Sequence, residues 1–223
     1  MGKDKNYAKL KEFCRGLGLD LFGVADIQDA KKEFIVSPEL LKKLDKAVVL
    51  GGRLSKTVLA ELVQVPTRLY SFHYRTLNSL LDQSALKATI YIEDQGYLAL
   101  PIPTSQILDW EKQTGHLSHK KMGELAGLGW IGRNNMLVNE KFGSQFRLVT
   151  ILTDMPLAID KPVAGGCGSC HTCVKACPAG AVKEKPSDFE HLKCFDAIKR
   201  FQRLQLAEQY ICGVCVNVCR GKK

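Results

Sequence analysis

The residues that offer the most chemistry are cysteines, and they crowd into the last quarter of the chain. Cys167, Cys170, Cys173 and Cys177-Pro178 read C-x2-C-x2-C-x3-C-P. Thiolates are soft anionic donors suited to iron. In a run of this spacing three cysteines hold one 4Fe–4S cluster and the fourth reaches over to another. A further set follows: Cys194, Cys212, Cys215 and Cys219. Eight of the nine cysteines therefore lie between 167 and 219, the number that two clusters need. The ligation this implies is crossed. Cys167, Cys170 and Cys173 share the first cluster with Cys219, while Cys177, Cys194, Cys212 and Cys215 hold the second.

Two plainer readings compete. A disulfide framework suits small secreted domains, and this chain is large enough to fold without staples. Paired zinc sites explain one C-x2-C but not the whole run. Cys14, the cysteine outside the region, reads as a small buried core residue.

Composition sets wider bounds. The chain has 223 residues, 45% hydrophobic and 25% charged, which is ordinary for a soluble globular protein of one large or two small domains. Its formal net charge of +9 invites a nucleic-acid reading. That count omits eight thiolates, and part of the surplus would balance anionic clusters. No stretch reaches the 18 apolar residues of a membrane span. The start, Met1-Gly2-Lys3-Asp4-Lys5-Asn6, lacks a signal core and has Asn where myristoylation needs Ser or Thr. We therefore expect a cytoplasmic protein with no membrane contact, which suits reduced cysteines.

The elements that must position the cysteines can be read in order. Apolar spacing predicts a helix over residues 6–17, then a buried strand over 21–25. A short charged helix is expected over 38–46 and a buried strand over 47–52. The longest helical period runs over 67–94, through Leu69, Phe72, Leu77, Leu80, Leu81, Ala85, Leu86, Ile90 and Ile92. A strand over 96–100 is expected to stop at Pro101 and Pro103. Residues 104–119 read as a polar loop, and Ser118 as the N-cap of a helix over 119–125. The stretch from Ala126 to Asn135 holds Gly127, Gly129 and Gly132, which permit close approach of a ligand or a tight turn. Trp130 adds a flat apolar face there, with Arg133 and Asn134 as polar contacts. A short strand follows over 136–138 and a long one over 146–153, then a linker over 158–166. A helix around Cys194 and a solvated tail, Gly221-Lys222-Lys223, complete the chain. The fold class expected is α+β: an α/β domain over 1–160 and a ferredoxin-like double-cluster module over 161–223.

At this point the combination resembles the epoxyqueuosine reductase family, relatives of the reductive dehalogenases. The resemblance rests on Ala126 to Asn134, Phe142-Gly143-Ser144, Ile151 to Leu157, Cys167-Gly168-Ser169-Cys170, and Ala176-Cys177-Pro178-Ala179-Gly180-Ala181. Cys212-Gly213-Val214-Cys215 through Cys219 is similar to the family's closing motif. The resemblance implies a cobalamin-binding α/β domain on a two-cluster module, with electrons passing from the clusters to the corrinoid and then to a substrate. It places Gly127, Gly129, Trp130, Arg133, Asn134, Gly143, Ser144 and Met155 near the corrinoid, largely through backbone groups. It also implies an electron donor such as a ferredoxin or flavodoxin.

Three departures qualify the likeness. The family's acid in an Asp-Ser-x-Pro-Val stretch is missing; Leu100-Pro101-Ile102-Pro103-Thr104 stands there. Reduction of an epoxide needs an acid near the leaving oxygen, and His116, His119, Asp109 and Tyr74 are the substitutes in reach of the argument. The chain also stops just after the last cluster cysteine, as a short member without the C-terminal RNA-binding repeats would. Finally, Arg220 replaces the usual proline after Cys219. The leading expectation is a corrinoid-dependent reductase of a small or unidentified substrate. The alternative is a 4Fe–4S electron-transfer or reductive-activation protein without cobalamin. Transfer RNA ranks last among the partners, since charge alone argues for it.

Overall fold

A computed structural model of the chain describes residues 2–221; Met1 and the tail residues Lys222 and Lys223 lie outside it. The chain divides into two compact units, and the division is not a single cut near residue 160. One unit comprises 1–52, 78–128 and 147–163; the other comprises 53–77, 129–146 and 164–223. The cysteine tail therefore shares its unit with two segments from earlier in the sequence. Among the described residues no helix is long and apolar enough to cross a membrane.

The first unit is built on a four-stranded sheet in the order β1-β2-β6-β3, with β1 Leu21–Asp26, β2 Lys46–Arg53, β3 Ala99–Ile102 and β6 Phe146–Thr153. β1 pairs antiparallel with β2, Leu21 facing Gly51, and β3 with β6, Ala99 facing Thr153. The two central strands are apolar without alternation. Ala47, Val48, Val49 and Leu50 on β2, with Val149, Ile151 and Leu152 on β6, are all fully buried. Such runs mark strands covered on both faces. Pro101 lies within β3 opposite Ile151 rather than ending it. Because β3 is an edge strand, its missing N–H breaks no central ladder.

Helix α1 spans Lys3–Gly16 and buries Leu10 and Cys14. The helix expected over 38–46 is a single turn, α2, Pro38–Leu41. α4 runs Arg68–Glu93. Of its apolar residues, Leu77, Leu81, Ala85 and Ile92 are buried, whereas Leu69, Phe72, Leu80, Leu86 and Ile90 are exposed. α5, His119–Leu125, starts at Ser118, whose hydroxyl accepts from the Lys121 amide at 3.3 Å. α5 packs on β1, where Gly23 leaves no room for a side chain beside the Ala126 carbonyl.

The second unit contains α3 Lys56–Ala60, the two-stranded hairpin β4 Trp130–Ile131 with β5 Leu137–Val138, and three helices among the cysteines. These are α6 Thr172–Ala176, α7 His191–Arg203 and α8 Val214–Asn217. α8 packs against both α3 and α6. α3 was not legible in the sequence, being five residues long, although Ser55 caps it by accepting from the Val58 amide.

Candidate functional site

Short turns and helices of the second unit carry the cysteines. Cys170 donates its amide to the Cys167 carbonyl at 3.0 Å, and Gly168 between them has φ of +51°. The Gly180 amide reaches the Cys177 carbonyl at 3.0 Å. Cys212 and Cys215 flank the start of α8, where Gly213 has φ of +80°. Cys194 lies on α7. Left-handed glycines let these turns close tightly enough for successive thiols to converge.

The thiols form two sets that feel one another's charge. Burial, followed by the charges of Cys219, Cys167 and Cys170, pushes Cys173 up to about 11. Burial, followed by the charges of Cys194 and Cys177, pushes Cys212 up to about 11. Burial raises Cys194 as well, with Cys177 as the neighbouring charge. Cys215 is raised well above the usual thiol value by burial and then by Cys212, Cys194, Cys177 and Cys173. Cys170 alone is lowered, chiefly by hydrogen bonding from Thr172. Cys167, Cys170, Cys173 and Cys219 lie near one another, as do Cys177, Cys194, Cys212 and Cys215, and Cys173 is also among the charges that raise Cys215. Buried, crowded thiols resist ionisation unless a cation displaces their protons. The donor set thus fits a multinuclear metal group with thiolates at its corners. Among the described residues no group of three or more His, Cys, Asp or Glu side chains is placed to hold a metal ion.

The first set opens on a cavity of about 360 Å³, lined also by Trp130, Asn134, Val138 and Val218. The β4–β5 hairpin supplies part of this wall. Arg133 at its tip is largely buried, and its guanidinium donates to three carbonyls: Glu184 at 2.6 Å, Cys170 at 3.0 Å and Gly168 at 2.9 Å. Asn134 donates to the Ser144 hydroxyl at 3.0 Å, both side chains being buried. Gly143 has φ of +59°, and a Cβ there would fall 2.0 Å from the Cys219 carbonyl oxygen. At Gly129 it would fall 2.1 Å from the carbonyl of Val138. The Trp130 ring is covered by the backbone of Gly165.

Of the residues placed near a corrinoid by resemblance, only Trp130 and Asn134 line this cavity. Arg133 and Ser144 are engaged inside the second unit. In the first unit Met155 is buried, and Gly127 packs against the Lys161 carbonyl. These positions offer a corrinoid backbone groups and one indole face, not a fringe of side-chain donors.

The four candidate acids each have partners of their own. Tyr74 is buried, with its ring edge-on to Tyr70 in the second unit. Asp109 accepts from the Glu111 and Lys112 amides, both at 2.9 Å, and so caps its own turn. His116 bonds the Ile35 carbonyl at 2.7 Å through Nδ1. His119 bonds the Pro103 carbonyl at 3.0 Å through Nε2 and the Thr150 hydroxyl at 2.8 Å through Nδ1. A carbonyl can only accept, so Nε2 carries the proton and Nδ1 accepts from Thr150. Desolvation lowers this ring to about 4, which holds it neutral. A neutral, doubly bonded imidazole is poorly set to give up a proton near pH 7.

No family model matches the chain. Epoxyqueuosine reductases are similar over parts of it. That of Leadbetterella byssophila is 33% identical over 103 residues, covering 42% of this chain and 33% of that protein. That of Salmonella typhimurium is 34% identical over 109 residues, covering 45% and 28%. The Bacillus cereus enzyme is 30% identical over 138 residues, covering 58% and 36%. The chain is similar to epoxyqueuosine reductases, and it spans about a third of the length of the curated relatives it matches. Solved structures show the same fold. A catabolic reductive dehalogenase in complex with 3-bromo-4-hydroxybenzoic acid gives a TM-score of 0.76 at 18% identity, covering 97% of this chain and 32% of that one. An epoxyqueuosine reductase with an epoxyqueuosine-modified tRNA stem loop gives 0.65 at 19% identity, covering 96% and 64%.

Proposed function

We propose that this chain is an iron–sulfur reductase of the epoxyqueuosine reductase-like class, carrying two 4Fe–4S clusters and working with a corrinoid. The observation that carries the reading is that Cys167, Cys170, Cys173 and Cys219 line one cavity of about 360 Å³, as the cysteine spacing leads one to expect. Cys167, Cys170, Cys173 and Cys219 would hold one cluster and Cys177, Cys194, Cys212 and Cys215 the other. When bound, the clusters supply one-electron carriers and the corrinoid a metal at which a substrate is reduced.

The chain's own residues have narrower tasks. Arg133 holds the Cys167–Cys170 turn by two of its carbonyls. Trp130, Val138 and Val218 give the first set an apolar wall, which limits water there. Asn134 and Ser144 fix the hairpin to the strand-side loop. His119, neutral and bonded at both ring nitrogens, is poorly set to supply the substrate's proton.

Two alternatives keep specific support. The engagement of Arg133, Ser144 and Met155 within the protein favours an electron-transfer role without cobalamin. Transfer RNA, ranked last from charge alone, gains weight because one structural neighbour is bound to a tRNA stem loop. Anaerobic reconstitution with iron, sulfide and hydroxocobalamin tests all three. The proposal expects about eight irons per chain and stoichiometric base-off cobalamin by absorption and EPR. Full iron without cobalamin selects the electron-transfer role. About four irons, none, or zinc in their place overturns the iron–sulfur reading. Salt-sensitive tRNA binding by the reconstituted protein would identify the substrate as RNA.

A further inference from the structure

The two thiol sets face different surroundings. Beside the second set lies an open depression of about 630 Å³ that reaches Cys177. It is lined by the cations Lys175, Lys193 and Arg200, by one acid, Asp196, and by apolar residues including Val65, Pro178 and Phe201. Lys193 and Arg200 are seven residues apart on α7 and so share a helix face. Asp196 is offset by Lys199 at 2.8 Å, and Lys193 is partly offset by Glu190 at 3.3 Å. Lys175 and Arg200 are exposed, so the depression presents positive charge around an apolar centre. The cavity at the first set has a different character, with Trp130, Val138 and Val218 in its wall.

We infer that this depression is the docking surface for a small acidic electron-carrier protein, and that electrons enter the chain at the second thiol set. The inference rests on the iron–sulfur reading above. With a cluster held by Cys177 and its partners, one electron would pass to it from the reduced carrier, and no bond would form or break. Charge complementarity selects the occupant. Redox partners meet over small interfaces and dissociate at every turnover, so opposite charges around a modest apolar patch steer encounter without holding the complex. RNA would also seek the cations, but a depression that reaches Cys177, a ligand of the proposed cluster, suits a redox partner better.

The test uses the chain loaded with both clusters, and iron content is verified first. If wild type does not reach two clusters, the underlying function fails rather than the surface. Stopped-flow reduction by a reduced acidic flavodoxin is then compared with reduction by dithionite. Lys175→Glu with Arg200→Glu is expected to slow the flavodoxin reaction on the order of tenfold at low salt and flatten its salt dependence. Its iron content and dithionite reduction should match wild type. If charge reversal lowers the iron content, Lys175→Gln with Arg200→Gln carries the same comparison. An unchanged flavodoxin rate in the iron-replete variant overturns the inference. So does inhibition by tRNA that disappears in the variant while the uninhibited rate stays at wild type, which would assign the surface to RNA.

Discussion

The guanidinium of Arg133 donates to carbonyls 35, 37 and 51 residues away in sequence. From sequence it reads as a polar contact in a glycine-rich stretch, and nothing local reveals that its partners are the Cys167–Cys170 turn and Glu184. A planar fork satisfies three carbonyls where an ammonium cannot. Hydrogen bonds to charged groups contribute about 1.5–3 kcal/mol each, so Arg133→Ala should destabilise the second unit by at least about 2 kcal/mol. It should also release iron from one cluster first, seen as loss of about half the iron on chelator challenge. Arg133→Lys should keep the charge but not the retention. His119 supplies a pH signature. Its ring is held near 4, below the ordinary 6.5, because burial disfavours the charged form. The unfolded chain binds this proton more readily. The contribution is therefore complete above about pH 6.5 and is lost as pH falls towards 4. Urea melts between pH 7 and 4 should show that loss in wild type and less of it in His119→Gln.

Among the elements, those with strong signals were legible. Ser118 marks the first turn of α5, and the apolar runs of β2 and β6 match the buried strands. The period along α4 announced a helix but not which of its apolar residues face inward, because residues suited to burial occupy both sides. Leu81 is fully buried, whereas Leu86 is 54% exposed. Leu81→Ala should therefore cost about 2–5 kcal/mol, while Leu86→Ala should stay within about 0.5 kcal/mol; paired thermal melts distinguish them. Pro101 was read as a stop because proline removes a ladder donor. Its edge position, which depends on strand order, could not be known in advance. The cysteine turns were legible since their spacing is local; their grouping into two ligand sets rests on a motif rule.

At the scale of the whole molecule, the boundary was the least legible feature. A linker over 158–166 suggested one break, yet the cysteine-bearing unit also takes in 53–77 and 129–146. Composition marks flexible stretches but does not say which earlier segments return to pack. Those segments supply contacts the tail lacks. Leu62 accepts from Asn217 at 3.0 Å, Gln145 donates to the Asn217 carbonyl at 2.6 Å, and the Tyr70 ring lies against Gly213. A fragment of residues 161–223 contains all eight thiols of the two sets. Expressed alone and reconstituted, it should retain well under half the iron of the full chain and show no cooperative melt. Equal iron per chain would show that the earlier segments are dispensable. A gene fusion that borrowed the last sixty-odd codons would inherit the ligands without their mould. Recombination could pass this redox apparatus on intact only by carrying its interleaved neighbours along.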